Sequence, residues 1–365
     1  MADILFVTWD GGGNVPPALG IAAELAARGH GTRFLGHRSQ EAVLRARGHG
    51  FTAYAEAADF VGREPASLSR MIRLFSDRGM GADLLSEVRA HPADLVVIDS
   101  LLMGAMDAAA EAGLRYVTLQ HLFDRYQRTG WLRGPVGLWG RLRGLRPVGR
   151  WDGAELALAA TLPGLDPGST GARPENLRFI GPVVEVPART AQFTPPTVLV
   201  SLSTVAYKGM QDVLQRIVTA TEQLDARIVV TTGPVIDPHD VRGHARTEIH
   251  RYVDHDELMP HCSLVVGHGG HATTMRALAH DLPLLVMPLH PMLDQPMVGA
   301  AVEKAGAGRV LKRGAQVSSI AGALQELLAD GPHRIAAAEL GAQIRASEGT
   351  ARGADELEKL LVSST

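Results

Sequence analysis

The sequence is poor in cysteine and aromatic residues and has no long apolar run, and these absences exclude several classes of protein. Cys262 is the only cysteine among 365 residues, which excludes an intramolecular disulfide and a cysteine-based metal site. A nearly cysteine-free chain is typical of a reducing cytosol. We find neither an apolar run long enough to cross a bilayer nor the pattern of a signal peptide, and we predict a cytoplasmic protein.

The sequence also lacks a strong excess of charge of either sign. Its formal net charge is −3, which argues against a non-specific nucleic-acid binder, so we predict no nucleic-acid partner. Hydrophobic residues make up 45% of the chain and can form large cores. A chain of this length is expected to form two domains of ordinary size.

Strands and helices alternate along the first half of the chain, as in a doubly wound α/β domain. Residues 3–8 predict a strand, residues 18–28 a helix and residues 32–36 a second strand. The intervening loop, residues 9–17, contains three glycines. It lacks the G-x-G-x-x-G spacing of a dinucleotide-binding fingerprint.

Two further strands of this half end in polar residues. Asp99 ends the predicted buried strand 94–99, and His121 follows shortly after the predicted strand 115–119. Because carboxyl ends of parallel strands face the ligand crevice, Asp99 and His121 are candidate site residues. A lone histidine in such a position is also explained as a hydrogen-bonded packing residue.

A proline-rich stretch separates the two halves. We interpret residues 183–196 as a linker between a first domain over residues 1–182 and a second over residues 197–348. The second half begins another β-α-β series, with a strand at 197–202 and a helix at 210–224. We therefore predict two Rossmann-type domains.

A glycine turn in the second half has the features of an anion site. His268, Gly269, Gly270 and Thr273 lie between a predicted strand, 263–266, and a helix predicted over residues 275–280. A helix N-terminus stabilises an anion, and glycines let a phosphate approach the backbone. The Thr273 hydroxyl and the His268 imidazole can both donate to phosphate. The alternative is a glycine turn that binds nothing.

Downstream residues favour a ligand. Asp294 and Gln295 follow another strand, and a carboxylate beside an amide suits sugar hydroxyls. The block from about residue 252 to residue 308 contains four elements in order: H-G-G-x-x-T-T, a strand, D-Q and G-x-G. It resembles the nucleotide-sugar half of GT-B glycosyltransferases, in particular the actinobacterial, UDP-glycosyltransferase-like family that modifies natural products.

The resemblance implies an α/β fold of the GT-B type, with two Rossmann-like domains facing a cleft and residues 349–365 returning to the first domain as a helix. It implies a nucleotide-sugar donor, dTDP-sugar or UDP-sugar, with no cofactor and no metal. In this family an aromatic residue stacks on the base, the next backbone unit reads the base edge, and hydroxyls reach the phosphates. The implied donor-binding residues are Ser203, Thr204, Tyr252, Val253, His268, Gly269, Gly270, Thr273, Asp294 and Gln295.

The first loop departs from the family pattern. The family has G-H-V-x-P there, and its histidine is the base that deprotonates the acceptor, with an acid corresponding to Asp99 orienting it. Here Asn14 replaces that histidine, and an amide cannot act as a base. The base could instead be Asp10 of the same loop, or His121 or Asp99 at the crevice. A third alternative is an acceptor acidic enough to ionise without a base. Asn14 could equally be structural, because asparagine tolerates the left-handed conformation of tight turns.

A second departure concerns the donor. Plant members carry glutamate eight residues after the motif histidine, where it binds ribose hydroxyls, and this chain has Arg276. A deoxyribose has no 2′-hydroxyl for such a glutamate. The substitution therefore favours a dTDP-deoxysugar over UDP-glucose, unless Arg276 simply faces solvent.

Residues 121–151 differ in composition from the rest of the first half. Seven arginines oppose one acid, Asp124, and three tryptophans are interleaved with them. In the family this region is an acceptor-binding flap, and we favour that interpretation with a small lipophilic acceptor. Weak association with an anionic membrane surface and a solvated segment of no special function are the alternatives.

We therefore predict an inverting, metal-independent glycosyltransferase. A catalytically silent nucleotide-sugar-binding partner protein is one alternative, and Asn14 is the residue that favours it. A nucleotide-sugar epimerase is another; it would need catalytic carboxylates and would act without an acceptor. A homodimer is left open.

Overall fold

The computed structural model describes residues 1–62, 64, 67–184 and 195–362, and the chain divides into two compact units. The first unit contains Met1–Gly62, Ala66–Val184 and Ser347–Thr365, and the second contains Arg63–Pro65 and Glu185–Ala346. Most of the predicted linker, residues 185–194, lies outside the described residues. In the described part of the chain, no helix is both long and apolar enough to span a bilayer.

The first unit contains a parallel sheet of seven strands in the order β3-β2-β1-β4-β5-β6-β7. The strands are β1 (Asp3–Val7), β2 (Gly31–Gly36), β3 (Gly50–Ala53), β4 (Leu95–Asp99), β5 (Tyr116–Gln120), β6 (Leu156–Ala159) and β7 (Leu177–Phe179). In the centre, Phe6 pairs with Phe34 on one side and with Val97 on the other. The apolar runs thus form the buried middle of a sheet that is covered on both faces.

Helices connect these strands. They are α1 (Val15–Ala27), α2 (Glu41–Ala46), α3 (Leu68–Phe75), α4 (Gly79–Ala90), α5 (Met103–Glu111), α6 (Asp124–Tyr126), α7 (Pro135–Leu142) and α8 (Pro147–Asp152). The helix predicted from residue 18 begins three residues earlier, with prolines in its first turn. Proline is tolerated there because the first amides have no intrahelical acceptor.

The second unit contains a parallel sheet of six strands in the order β10-β9-β8-β11-β12-β13. The strands are β8 (Thr197–Ser201), β9 (Arg227–Thr231), β10 (Thr247–His250), β11 (Leu264–Gly267), β12 (Leu284–Val286) and β13 (Gly308–Val310). The helices are α9 (Met210–Ala220), α10 (His255–Leu258), α11 (His271–Ala279), α12 (Gln295–Lys304), α13 (Val317–Leu328) and α14 (Pro332–Ser347). The predicted start of α11 was wrong, because the helix begins at His271 rather than at residue 275.

The last helix, α15 (Gly349–Val362), belongs to the first unit and packs on α1. Gly353 lies so close to Ile21 that a Cβ on it would be 2.8 Å from the isoleucine side chain. The Arg28 guanidinium donates to Asp355 at 2.6 Å and to Glu358 at 2.7 Å. Close apolar contact and partly buried ion pairs together hold α15 against α1.

Candidate functional site

The glycine turn after β11 has a conformation that requires glycine. Gly269 has φ +87°, and a Cβ on it would lie 2.8 Å from the Gln295 carbonyl oxygen. A Cβ on Gly270 would lie 2.8 Å from the His268 ring. The turn therefore brings the H-G-G motif directly against the start of α12, although 25 or so residues separate them in sequence.

The turn ends at the N-terminus of α11. Gly270 is the N-cap residue, and its carbonyl accepts the first helical hydrogen bond, from the Thr274 amide at 3.0 Å. The amides of Ala272 and Thr273 consequently have no acceptor within the helix. Such amides, at the positive end of the helix dipole, can bind a phosphate.

His268 is neutral in this setting. Burial lowers its pKa to about 4, and a hydrogen bond to the Leu202 carbonyl acts in the opposite direction. A neutral imidazole has one N–H, so a ring that donates to Leu202 has only an acceptor nitrogen left. The predicted donation to phosphate therefore requires His268 to take up a proton when the phosphate binds.

A loop residue that the sequence analysis missed connects two predicted elements of this site. The Tyr207 hydroxyl hydrogen-bonds to the side chains of Ser203 and Gln295, and burial raises the pKa of Tyr207 to about 12, with a further contribution from the negative charge of Asp294. Tyr207 lies between β8 and α9, outside any recognised motif. Only its position four residues after Ser203 could have indicated it.

Gln295 is buried, with 2% of its surface exposed. Its side-chain oxygen accepts from the Leu289 amide at 2.8 Å and the His290 amide at 3.1 Å. This oxygen shapes the loop before α12, so only the amide nitrogen is left to donate to a sugar. Neighbouring Asp294 is also buried, at 9% exposure.

The loop after β10 presents the aromatic residue expected to contact a base. Tyr252 is 79% exposed, and Val253 beside it is half-buried. Arg276 of α11 lies 2.9 Å from the Asp256 carboxylate in this loop. Arg276 is therefore a partly buried ion-pair partner, and the alternative that it simply faces solvent was wrong.

The prediction of metal independence assumed that the chain has no acids with the Asp-x-Asp spacing of a cation site, but Asp254 and Asp256 have this spacing. The Asp254 side chain accepts from the Asp256 amide at 2.8 Å and caps α10, and Asp256 pairs with Arg276. Among the described residues, no group of three or more His, Cys, Asp or Glu side chains is arranged to hold a metal ion. Metal independence stays a prediction.

In the first unit, Asp99 and His121 are in direct contact. The His121 Nδ1 atom lies 3.1 Å from Asp99 Oδ2. The same oxygen accepts from the Trp9 indole N–H at 3.1 Å, and Oδ1 accepts from the Leu101 amide at 3.0 Å. The acid whose partner was undefined in the sequence thus has His121 as its partner.

Asn14 is buried, with 3% exposure, and holds the first loop. Its amide nitrogen donates to the Thr8 hydroxyl at 3.0 Å and to the Trp9 carbonyl at 2.9 Å. Its φ is −86°, so the left-handed conformation offered as the reason for a structural role was wrong. A cavity of about 10 Å³, lined by Asn14, Asp99 and apolar side chains, lies beside it and matches one water molecule.

Asp10 also holds a loop. Its Oδ2 accepts from the Ser39 hydroxyl at 2.8 Å and from the Gly62 amide at 3.0 Å. A Cβ on Gly62 would lie 2.1 Å from the Asp10 carbonyl oxygen. Asp10 therefore connects the loops that follow β1 and β3.

The segment 121–151 is helical in large part, and several of its arginines have acidic partners. Arg128 pairs with Asp124 at 3.0 Å and Asp152 at 2.9 Å, and Arg150 pairs with Asp107 at 2.8 Å. The expectation that Asp124 is the only acid facing them was therefore wrong. The structure also buries two of the three tryptophans, Trp131 and Trp151.

The rest of this segment presents an exposed surface. Trp139 is 46% exposed and Leu142 73%, with Leu138 beside them at 48%. The exposed basic residues on and beside α7 are Arg133, Arg141, Arg143 and Arg146. We call these seven residues the α7 surface; within the described residues, no acid pairs with its arginines.

The chain is similar to proteins that glycosylate natural products. Residues 215–360 match the family model described as the C-terminal domain of erythromycin biosynthesis protein CIII-like proteins. Over 99% of its length the chain is 26% identical to the whole of 4′-demethylrebeccamycin synthase from Lentzea aerocolonigenes.

Two solved structures share the fold. The glycotransferase of kitacinnamycin has a TM-score of 0.82 and 21% identity, over 98% of each chain. The glycosyltransferase VinC in complex with dTDP has a TM-score of 0.67 and 18% identity, over 97% of this chain and all of the other. These likenesses confirm the predicted GT-B fold.

Proposed function

We propose that this chain, which is similar to natural-product glycosyltransferases and has the GT-B fold, transfers a sugar from dTDP to a small lipophilic acceptor, with inversion at the anomeric carbon. The observation that carries the proposal is the turn at Gly269, which places an α11 N-terminus and His268 beside the buried start of α12. This arrangement suits a nucleoside diphosphate.

The donor is held by the second unit in this proposal. The α11 amides, protonated His268 and the hydroxyls of Ser203 and Thr204 bind the diphosphate. They also stabilise the charge that develops on it as the sugar leaves. Tyr252 stacks on the base, and the Gln295 amide nitrogen donates to the sugar. Tyr207 holds Ser203 and Gln295 in place.

Two observations support dTDP over UDP. Arg276 is held in an ion pair with Asp256, so this position supplies no acceptor for a ribose 2′-hydroxyl. VinC, which has the same fold, was solved in complex with dTDP. We also propose that the transferred sugar is a deoxysugar.

Isothermal titration of the purified protein with dTDP and with UDP, each with and without Mg²⁺, tests the donor site. We expect tighter binding of dTDP, no effect of Mg²⁺, and a loss of ~10-fold or more in His268→Ala if one charge-assisted hydrogen bond is removed. His239→Ala, which changes an exposed histidine in the same unit, is the matched control. Tighter binding of UDP would refute the argument from Arg276, and binding of neither nucleotide would refute the donor site.

We propose that the acceptor binds in the first unit and that residues 121–151 form its flap. The α7 surface supports this proposal, because exposed Leu138, Trp139 and Leu142 can contact a lipophilic molecule. Trp139→Ala is expected to raise the acceptor KM and leave dTDP affinity unchanged.

The same surface supports a second proposal, weak association with an anionic membrane. Its four arginines can contact anionic lipid headgroups while its apolar side chains enter the interface. Sedimentation with phosphatidylcholine vesicles, with and without phosphatidylglycerol, tests it. Equal sedimentation with both vesicle types would refute it.

One observation favours the alternative of a catalytically silent partner protein. Asn14 is buried, its amide nitrogen holds the first loop, and an amide cannot act as a base at neutral pH. That alternative predicts dTDP binding without transfer to any acceptor, whereas an active enzyme transfers the sugar of dTDP-glucose to at least one hydroxylated aromatic compound in a screen.

A further inference from the structure

We propose that His121 is the general base of this glycosyltransferase and that Asp99 and Trp9 position it. The inference rests on the proposed function, because it concerns the proton that the acceptor loses during transfer. It assigns the base to the residue that follows β5, and not to the loop position that Asn14 occupies.

The Asp99 carboxylate is fixed by three neighbours. The Leu101 amide donates to Oδ1 and the Trp9 indole donates to Oδ2, while His121 Nδ1 lies 3.1 Å from Oδ2. A carboxylate only accepts hydrogen bonds, so the proton of a neutral His121 belongs on Nδ1. Nε2 then carries the lone pair, and it is the atom that can take a proton from an acceptor.

At 3.1 Å the His121 Nδ1 atom is within hydrogen-bond distance of Asp99, but the angle between them does not meet that of a hydrogen bond. Catalytic hydrogen bonds are often poorly aligned before the substrate binds and tighten in the complex. The distance is already short enough for Asp99 to stabilise the imidazolium that forms when Nε2 takes the proton.

Aromatic packing restricts this pair. Trp9 is 7% exposed, and its ring lies 5.0 Å from Phe75, 5.8 Å from Phe60 and 6.4 Å from the His121 ring, measured between centroids. His121 itself is 8% exposed. A nearly dry surrounding strengthens the interaction between Asp99 and His121 because few water molecules screen it.

The parallel sheet places Trp9, Asp99 and His121 together at the carboxyl ends of its central strands. Trp9, Asp99 and His121 lie at or just beyond the carboxyl ends of β1, β4 and β5, which are adjacent in the sheet. Ligands of open parallel sheets bind at this edge. A histidine there, backed by a carboxylate, is in the position from which a base can reach a substrate.

Two residues of the first loop, Asn14 and Asp10, are less suitable. Asn14 is an amide that cannot accept a proton at neutral pH, and its nitrogen is engaged by Thr8 and Trp9. Asp10 has one carboxylate oxygen engaged by Ser39 and Gly62, where it holds two loops together. Removing Asp10 would disturb those loops whether or not it accepted a proton.

The proposed step is a single displacement. The acceptor hydroxyl gives its proton to His121 Nε2 as its oxygen forms a bond to the anomeric carbon. The bond between that carbon and the phosphate oxygen breaks, and its electron pair leaves on dTDP. The imidazolium returns the proton to water after the products depart.

The test is His121→Asn, assayed with a dTDP-deoxysugar, dTDP-rhamnose, and two phenols, the weakly acidic 2-naphthol and the more acidic 4-nitrophenol. We expect kcat with 2-naphthol to fall by ~10²- to 10⁴-fold, the usual contribution of a general base. The fall with 4-nitrophenol should be smaller because that acceptor ionises without help. The dTDP dissociation constant should not change.

The pH profile separates a catalytic from a structural role. In the wild type, kcat should fall on the acid side as His121 is protonated, and this limb should disappear in His121→Asn. Asp99 Oδ2 lies 3.1 Å from the imidazole, so Asp99→Asn should lower kcat with 2-naphthol more than with 4-nitrophenol, because the imidazolium loses the carboxylate that stabilises it. His91→Asn, at a 68% exposed histidine of the same unit, should keep wild-type turnover and profile.

Retention of more than half of the wild-type kcat with 2-naphthol in a folded His121→Asn protein overturns the proposal. If that variant does not fold, the test is how strongly wild-type kcat depends on the acidity of the acceptor. A weak dependence supports a general base, because the base removes the proton from either phenol, and a strong dependence overturns the proposal. Wild-type protein that binds no dTDP, or binds it and transfers to neither phenol, refutes the proposed function and this inference with it. Normal dTDP binding with intact transfer in the variant refutes only the base.

Discussion

The protonation of His268 can be measured directly through the pH dependence of dTDP binding. The free ring has a pKa of about 4, because it is buried while its hydrogen bond to Leu202 compensates only in part. Protonating it at pH 7 therefore costs about 4 kcal/mol. One negative charge at about 4 Å stabilises the imidazolium by about 4 kcal/mol at an effective dielectric constant near 20. A diphosphate carries more than one negative charge. The balance favours an imidazolium in the complex.

Proton uptake makes dTDP bind more tightly as the pH falls. Between the pKa of free His268 and its higher pKa in the complex, each unit of decrease in pH should strengthen binding by up to ~10-fold. The terminal phosphate of dTDP itself gains a proton near pH 6, which acts in the opposite direction. His268→Asn lacks the titrating ring, so the difference between the wild type and this variant isolates the contribution of His268.

The assay is calorimetric titration of dTDP between pH 6 and pH 8, in two buffers of different ionisation enthalpy at each pH. The difference in observed enthalpy gives the number of protons taken up. We expect the wild type to take up close to one proton more than His268→Asn. An equal number in both proteins would refute the reasoning, and would mean that the neutral ring stays bonded to Leu202 in the complex.

Three further predictions concern the second unit. Tyr207→Phe removes the hydroxyl that joins Ser203 and Gln295, so the donor KM should rise several-fold and the free energy of unfolding should fall by about 1 kcal/mol, both measurable by steady-state kinetics and denaturant titration. Gly269→Ala should lower the free energy of unfolding by about 1–3 kcal/mol or more, because it strains a residue at φ +87° and crowds the Gln295 carbonyl; an unchanged denaturation midpoint would contradict this. Burial and the charge of Arg276 lower the pKa of His255 to about 4, so stability should decrease as the pH falls from about 6.5 to about 4, and thermal melts of His255→Gln should show a smaller decrease.

Local patterns were sufficient for most strands and for the glycine turn of the proposed donor site. The apolar runs at β1, β4, β8 and β11 predict buried parallel strands because both faces of such a sheet are covered. The H-G-G motif predicts a turn because only glycine adopts its conformation freely, and Gly269 has the positive φ that this argument requires. The start of α11 was misplaced since His271 to Thr274 carry no apolar periodicity.

Contacts between distant residues were not predictable in the same way. Strand ends identified Asp99 and His121 separately, but their contact follows from β5 lying beside β4 in the sheet. The Trp9 indole reaches Asp99 only because β1 is the other neighbour of β4. Nothing in the spacing of these three residues specifies which strands are adjacent.

The sequence alone determined the α/β class, the donor-site motif and the replacement of a basic histidine by Asn14, because each depends on residues close together in the chain. The tertiary structure decided which side chains meet and what charge they carry. Tyr207 joins Ser203 to Gln295, which are more than ninety residues apart in the chain, and Arg276 of α11 pairs with Asp256 in the loop after β10. The neutrality of His268 has the same origin, since a pKa depends on the burial and the partners that only packing supplies.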